Sequence, residues 1–128
     1  MYKRTIFQSF KLAFVGLLFV FKTERNMKLH CLAAFMAIIC AFMFKISEIE
    51  FIFVIFAISL VLIIEAANTA FELLLDFVHG DRYHPDIKLL KDILAGGVFI
   101  AALNAFFIGS IIFIPKIIRT LQTIVNSR

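Results

Sequence analysis

Glu65, Asn68, Glu72 and Asp76 follow one another at spacings of three, four and four residues. At about 100° per residue, the last three fall at about 300°, 340° and 20° relative to Glu65, so a helix would gather three carboxylates and an amide into one narrow stripe. The intervening Ala66, Ala67, Ala70, Phe71, Leu73, Leu74 and Leu75 are apolar. Carboxylates one and two turns apart repel, and beside hydrocarbon they are poorly solvated. Such a stripe is stable only when its acids are partly neutral, paired, or holding a cation. A divalent metal resolves the conflict, and carboxylates holding such an ion against phosphates are a recurring device of phosphoryl transfer. A merely wetted helix end is the plain alternative; it accounts for the polarity but not for its depth beside so apolar a run.

The composition indicates an integral membrane protein. The 128 residues are 62% hydrophobic and 17% charged, with a mean hydropathy of +1.01, well above the usage of soluble domains. Seventeen Phe and no Trp leave any interfacial aromatic belt to Phe and to Tyr2 and Tyr83. The net charge of +4 is dispersed beside apolar segments, which fits anionic headgroups and excludes an aromatic-interleaved nucleic-acid patch. Cys31 and Cys40 lie within an apolar run without metal-ligand spacing and read as small core or lipid-facing residues.

One membrane-embedded domain over 1–128 is expected, all-α, with an N-terminal surface helix and three spans. Residues 1–26 read as an amphipathic helix in the interface, with Phe7, Phe10, Phe14, Leu17, Leu18 and Phe21 at three-and-four spacing. No small-residue cleavage site follows its apolar run, which argues against a signal peptide. The spans are expected over 29–46, 49–78 and 92–114. Lys45 ends the first, Gly80 stops the second, Pro85 opens the segment leading to the third, and Pro115 with Lys116 closes it. Small residues recur every fourth position, Ala33, Ala37 and Ala41 on the first span and Gly97, Ala101, Ala105 and Gly109 on the third, a pattern that lets helices approach closely. Ser59 and Asn104 lie mid-span and are expected to hydrogen-bond between helices.

Nine of the thirteen Lys and Arg fall in the N-terminal segment and the loop after the second span, against four in the Lys45 link and after Pro115. The bias predicts a cytoplasmic N-terminus and central loop, with the C-terminus outside. Four pieces then meet at the cytoplasmic surface: Thr23-Glu24-Arg25-Asn26, the acidic stripe, the loop with Tyr83 and His84, and Lys91-Asp92. Together they offer acids for a divalent ion, an amide, and cations suited to phosphate. The chain has no Walker-type phosphate loop and no kinase glycine-rich loop, and Gly96-Gly97 sits inside an apolar run, so ordinary nucleotide-binding folds are excluded.

The stripe from Glu65 through Asn68-Thr69-Ala70 and Glu72 to Asp76 resembles the signature of the prokaryotic diacylglycerol kinase family. It is accompanied by Thr23-Glu24-Arg25-Asn26 with His30, by His84-Pro85, by Lys91-Asp92-Ile93-Leu94-Ala95-Gly96-Gly97-Val98, and by Ile111-Ile112-Phe113-Ile114-Pro115-Lys116, in the family's order. These pieces are more similar to the undecaprenol kinase branch than to the enterobacterial enzymes. Ala67 and Phe71 depart from the more usual aliphatic residues, and Leu12 stands where related chains often carry Tyr.

The resemblance implies a homotrimeric membrane kinase that moves the ATP γ-phosphate onto a lipid alcohol, undecaprenol first and diacylglycerol second. It implies that Glu65 is the catalytic acid/base and that Glu24 and Glu72 hold Mg²⁺. Asn68, Lys91 and Asp92 would complete the nucleotide site, with Tyr83 and His84 in a loop near it. The residues alone do not divide the roles of base and metal ligand between Glu65 and Glu72. A different class, a small oligomeric transporter exchanging protons at Glu65, would leave Glu24 and Lys91-Asp92 without a task. A non-catalytic assembly subunit would account for the small-residue stripes but not for the acids.

Overall fold

The computed structural model describes residues 5–80 and 83–127. Lys3, Arg4, Arg82 and Arg128, which enter the charge bias, and Tyr2 lie outside them. The described chain is four α-helices in the order α1 Ile6–Thr23, α2 Arg25–Met43, α3 Glu48–His79 and α4 Pro85–Asn126. Each is long and apolar enough to cross a membrane. By length and composition α1 thus qualifies beside the three expected spans.

The ends of the helices follow local chemistry. Thr5 and Gln8 form a capping box on α1: the Thr5 hydroxyl accepts from the Gln8 N–H and the Gln8 side chain accepts from the Thr5 N–H. Ser47 and Glu50 do the same for α3. Gly80 ends α3 at φ 70°, a conformation open to glycine, and Pro85 opens α4. The expected surface helix 1–26 is shorter at this end. Glu24 is extended, with φ −92° and ψ 122°, and it alone separates α1 from α2, so Arg25 already belongs to the next helix. The Thr23 hydroxyl donates to the Phe19 carbonyl and helps close the last turn of α1.

Pro115 does not end α4, which runs on to Asn126 for 42 residues in all. That is about 63 Å of helix against about 30 Å of hydrocarbon. A proline removes one backbone hydrogen bond, but a long helix supported on both sides tolerates the loss. Beyond it, Ile117, Ile118, Leu121, Ile124 and Val125 keep helical spacing against Lys116, Arg119, Thr120, Gln122 and Thr123. The Thr120 and Thr123 hydroxyls donate back to the carbonyls of Lys116 and Arg119.

α3 and α4 are the main packed pair, antiparallel and pinned at both ends. Glu50 meets Lys116 at 3.0 Å and Asp76 meets Lys91 at 2.6 Å. Val54, Ala57 and Val61 of α3 are buried, as are Val98, Ala101 and Ile112 of α4 and Met27 and Ala41 of α2. Large apolar side chains such as Phe35, Phe53, Phe56, Ile63, Phe99 and Ile100 are exposed around the outside, a surface suited to lipid. This is a membrane protein turned toward hydrocarbon. Cys31 and Cys40 are free and half-buried. Among the described residues, Ser59 and Asn104 make no side-chain hydrogen bond within the chain, so the interhelical bonds expected of them are not formed inside one copy.

Candidate active site

The buried face of α3 runs through Val54, Ala57, Val61, Glu65 and Thr69, each one turn after the last. Glu65 therefore stands where packing asks for another valine. It is 2% exposed, as is Thr69, whose hydroxyl donates to the Glu65 carbonyl at 3.1 Å. The carboxyl Oε2 of Glu65 is buried without a hydrogen-bond partner. An unpaired polar group in such a place costs on the order of 1–3 kcal/mol, so burial of Glu65 is a feature the fold bears rather than one that builds it.

From Glu65 the stripe climbs toward water. Asn68 donates from Nδ2 to Glu72 Oε1 at 3.1 Å, and the Asn68 Oδ1 is buried and unpartnered. Glu72 is half-buried and Asp76 exposed. Glu24, at the joint between α1 and α2, and His30, one turn into α2, lie within electrostatic reach of Glu65, together with Glu72. Glu65, Asn68 and Glu72 thus share one side of α3, and Glu24 and His30 stand near enough for their charges to be felt at Glu65; His30 belongs to a quoted motif that gives it no task.

The outer end of the stripe is already neutralised. Lys91 donates to Asp76 Oδ1 at 2.6 Å, and Lys88 to Asp92 Oδ2 at the same distance. Both lysines precede the apolar run that starts at Ile93, and both are raised above the ordinary lysine range, first by these hydrogen bonds. Lys91 and Asp92 are thus held by other charges in this state. Neither Asp76 as the Lys91 partner nor Lys88 as the Asp92 partner is visible in the sequence motifs, although the four-residue spacing of Lys88 and Asp92 is a pairing signal. His84 caps α4, its Nδ1 accepting the Asp86 N–H at 3.2 Å, and its ring stands edge-on to His79. Tyr83 is exposed beside it. This loop lies beyond the end of α3, about 10 Å further along the helix than Glu72.

Among the described residues no three His, Cys, Asp or Glu side chains form a metal cluster. A closed protein cage for a metal is therefore not built here. Two carboxylates with room for phosphate oxygens and water are instead the donor set that Mg²⁺ commonly takes. Glu24 and Glu72 are carboxylates of that kind, both near enough to act on the charge of Glu65, and Glu65 Oε2 and Asn68 Oδ1 are buried without a hydrogen-bond partner.

Residues 11–113 match the model of the family described as prokaryotic diacylglycerol kinase. The chain belongs to that family. It is 37% identical over 111 residues to an undecaprenol kinase of Bacillus subtilis, covering 87% of this chain and 89% of the relative. It is 32% identical over 110 residues to a diacylglycerol kinase of Synechocystis, covering 86% of this chain and 63% of that protein. Membership in the prokaryotic diacylglycerol kinase family makes the chain a membrane lipid kinase and sets aside the transporter and assembly-subunit readings. Every candidate site residue, from Glu24 to Asp92, lies inside the matched segment; the end of α4 after Phe113 lies outside it.

Proposed function

We propose that this chain transfers the γ-phosphate of ATP to the hydroxyl of undecaprenol, working as a homotrimer in the bacterial inner membrane with its N-terminus and active site on the cytoplasmic face. The observation that carries the reading is Glu65: a carboxyl in a valine's place, buried, unpartnered, and at the edge of a patch of further acids. A base of this kind would accept the proton of a lipid hydroxyl as the oxygen attacks the γ-phosphorus and the bond to the bridging oxygen breaks, with ADP leaving; exclusion of water disfavours hydrolysis in place of transfer.

Glu24 and Glu72 would hold Mg²⁺, which when bound neutralises charge on the phosphates. Asn68 fixes Glu72 through the 3.1 Å hydrogen bond, so one metal-binding carboxylate is positioned before nucleotide arrives. Lys91 sits one ion pair away from the stripe, and exchange of Asp76 for phosphate would deliver its ammonium to the nucleotide. Asp92 is placed similarly, released from Lys88. Tyr83 and His84 would border the nucleotide from the loop between α3 and α4. The amphipathic pattern of α1, with only Val20 buried, supports a helix lying in the interface.

Undecaprenol is favoured by the Bacillus relative, which spans nearly the same length. The Synechocystis relative supports diacylglycerol as the second acceptor. Purified protein given radiolabelled ATP and Mg²⁺ with undecaprenol, diacylglycerol and ceramide decides between them. Label on undecaprenol is the expected result. Label on diacylglycerol alone would move the assignment, and label on none would end it.

A further inference from the structure

Pro115 divides α4 into a packed part and a free one. Ile112 is buried and Lys116 reaches Glu50 at 3.0 Å, whereas residues 117–127 are exposed throughout. The free part lies outside the segment that matches the family, so membership does not account for it. At about 100° per residue, Ile114, Ile117, Ile118, Leu121, Ile124 and Val125 fall within one arc of about 120°, while Arg119, Thr120, Gln122, Thr123 and Asn126 all fall outside it. The two sides do not mix. A helical stretch this short with no packed side is marginal in water, so the arc needs cover. By Ile114 the apolar run that starts at Ile93 has already risen about 33 Å, more than a hydrocarbon core of about 30 Å. A straight continuation would carry the arc out of the lipid.

Direction, charge and width together choose the cover. The buried Ile112 and the paired Lys116 point within about 40° of the direction opposite to the middle of the arc, so the arc is turned away from α3. Leu103 and Phe107 lie on the arc's side of α4 within the span and are exposed. The arc therefore continues the lipid-facing side of the helix. After Pro115 the sequence has Lys116, Arg119 and Arg128 and neither Asp nor Glu, a balance that repels a second copy of itself and attracts anionic headgroups. The arc is also wider than the narrow seam of a coiled coil. Pro115 has no N–H to give, which makes the end of the span the place where α4 bends most easily. A bend away from α3 turns the arc down onto the leaflet.

We propose that residues 117–126 lie on the membrane surface at the end of the molecule opposite the acidic stripe, bent at Pro115, with the apolar arc in the acyl boundary and Arg119 among anionic headgroups. The segment is then a second interfacial anchor, at the other end of the chain from α1.

The chain has no Trp, so one introduced tryptophan reports on its own position without background. In the full chain, reconstituted in bilayers of phosphatidylglycerol and phosphatidylcholine, Leu121→Trp and Ile124→Trp should emit at shorter wavelength and be quenched by lipids brominated near the top of the acyl chain, and little by aqueous acrylamide. Gln122→Trp and Thr123→Trp should behave the opposite way. All four positions are exposed, so none of these changes removes a packed contact, and elution size in detergent should match the parent. Acrylamide quenching at all four positions would show a helix standing in water and overturn the proposal. Short-wavelength emission at the two apolar positions that neither quencher reaches would show a second copy of the chain as the cover, and would overturn it equally. Quenching of Leu121→Trp by brominated lipid should weaken in bilayers of phosphatidylcholine alone, and also when Arg119→Gln is added in the mixed bilayer. Equal quenching in all three cases would overturn the assignment to an anionic surface. These readings use no substrate, so they stand whichever alcohol the chain phosphorylates.

Discussion

The two halves of α3 share one unbroken helix and one continuous inward face, and they differ in what they bury. The first half, Phe51 to Ile64, turns Val54, Ala57 and Val61 inward and has no charged side chain. The second half keeps the same inward face and puts Glu65 and Thr69 on it. Backbone geometry is therefore not what distinguishes a span from a site. The difference is chemical: the first half gains from packing, and the second half gives up packing and leaves oxygens unsatisfied, which a fold tolerates where the group has work to do.

The largest test of that contrast is at Glu65. Glu65→Gln should leave a folded protein that still binds Mg-ATP but transfers phosphate about 10²- to 10⁴-fold more slowly, measured with labelled ATP. Glu65→Val sharpens it: thermal unfolding in detergent should move upward as the valine pattern of the first half is completed, while transfer is lost. A drop in stability with Val would mean that the carboxyl holds the helices together and that the contrast is mistaken. Next in size, Glu72→Gln should raise the Mg²⁺ concentration for half-maximal rate by about tenfold or more, with lipid KM unchanged. In the first half the effect should fall on the other quantity. Val61→Ala should cost about 2 kcal/mol of stability in denaturant unfolding while the rate per folded molecule stays near the parent's. Smallest of all, Asp76→Asn should barely shift unfolding, since the Lys91 pair is exposed and screened. Its use is in freeing Lys91, and an unchanged KM for ATP in that variant would remove Lys91 from the nucleotide site.

Much of this was open to reading from the residues. Gly80, Pro85 and the Lys45 link mark helix ends because each changes what the backbone can do locally, and the stripe is visible because its period is that of a helix. The extent of α4 was not, because Pro115 is a stop signal locally and the amphipathic repeat after it overrides that signal. The single-residue joint at Glu24 was also hidden: nothing in its side chain forbids helix there. Among the candidate site residues, Glu65, Asn68 and Glu72 share one side of α3 as the helical period requires, whereas the approach of Glu24 toward Glu65 depends on how α1 and α2 meet. The pairs Asp76 with Lys91 and Glu50 with Lys116 depend on which helix lies beside which, a property of packing and not of any motif.

Those two ion pairs stand 26 residues apart on α3 and 25 apart on α4. Any slide of one helix along the other by a turn would part both pairs. At far greater cost it would unseat the buried residues between them, Val54, Ala57 and Val61 on α3 and Val98, Ala101 and Ile112 on α4. The two helices therefore keep one height, about 38 Å between the pairs. A bilayer that thickens or thins around them cannot be met by telescoping the helices; the two must lean as a whole. The acids beside Glu65 then keep their mutual spacing in membranes of different thickness, and only their distance from the headgroups changes.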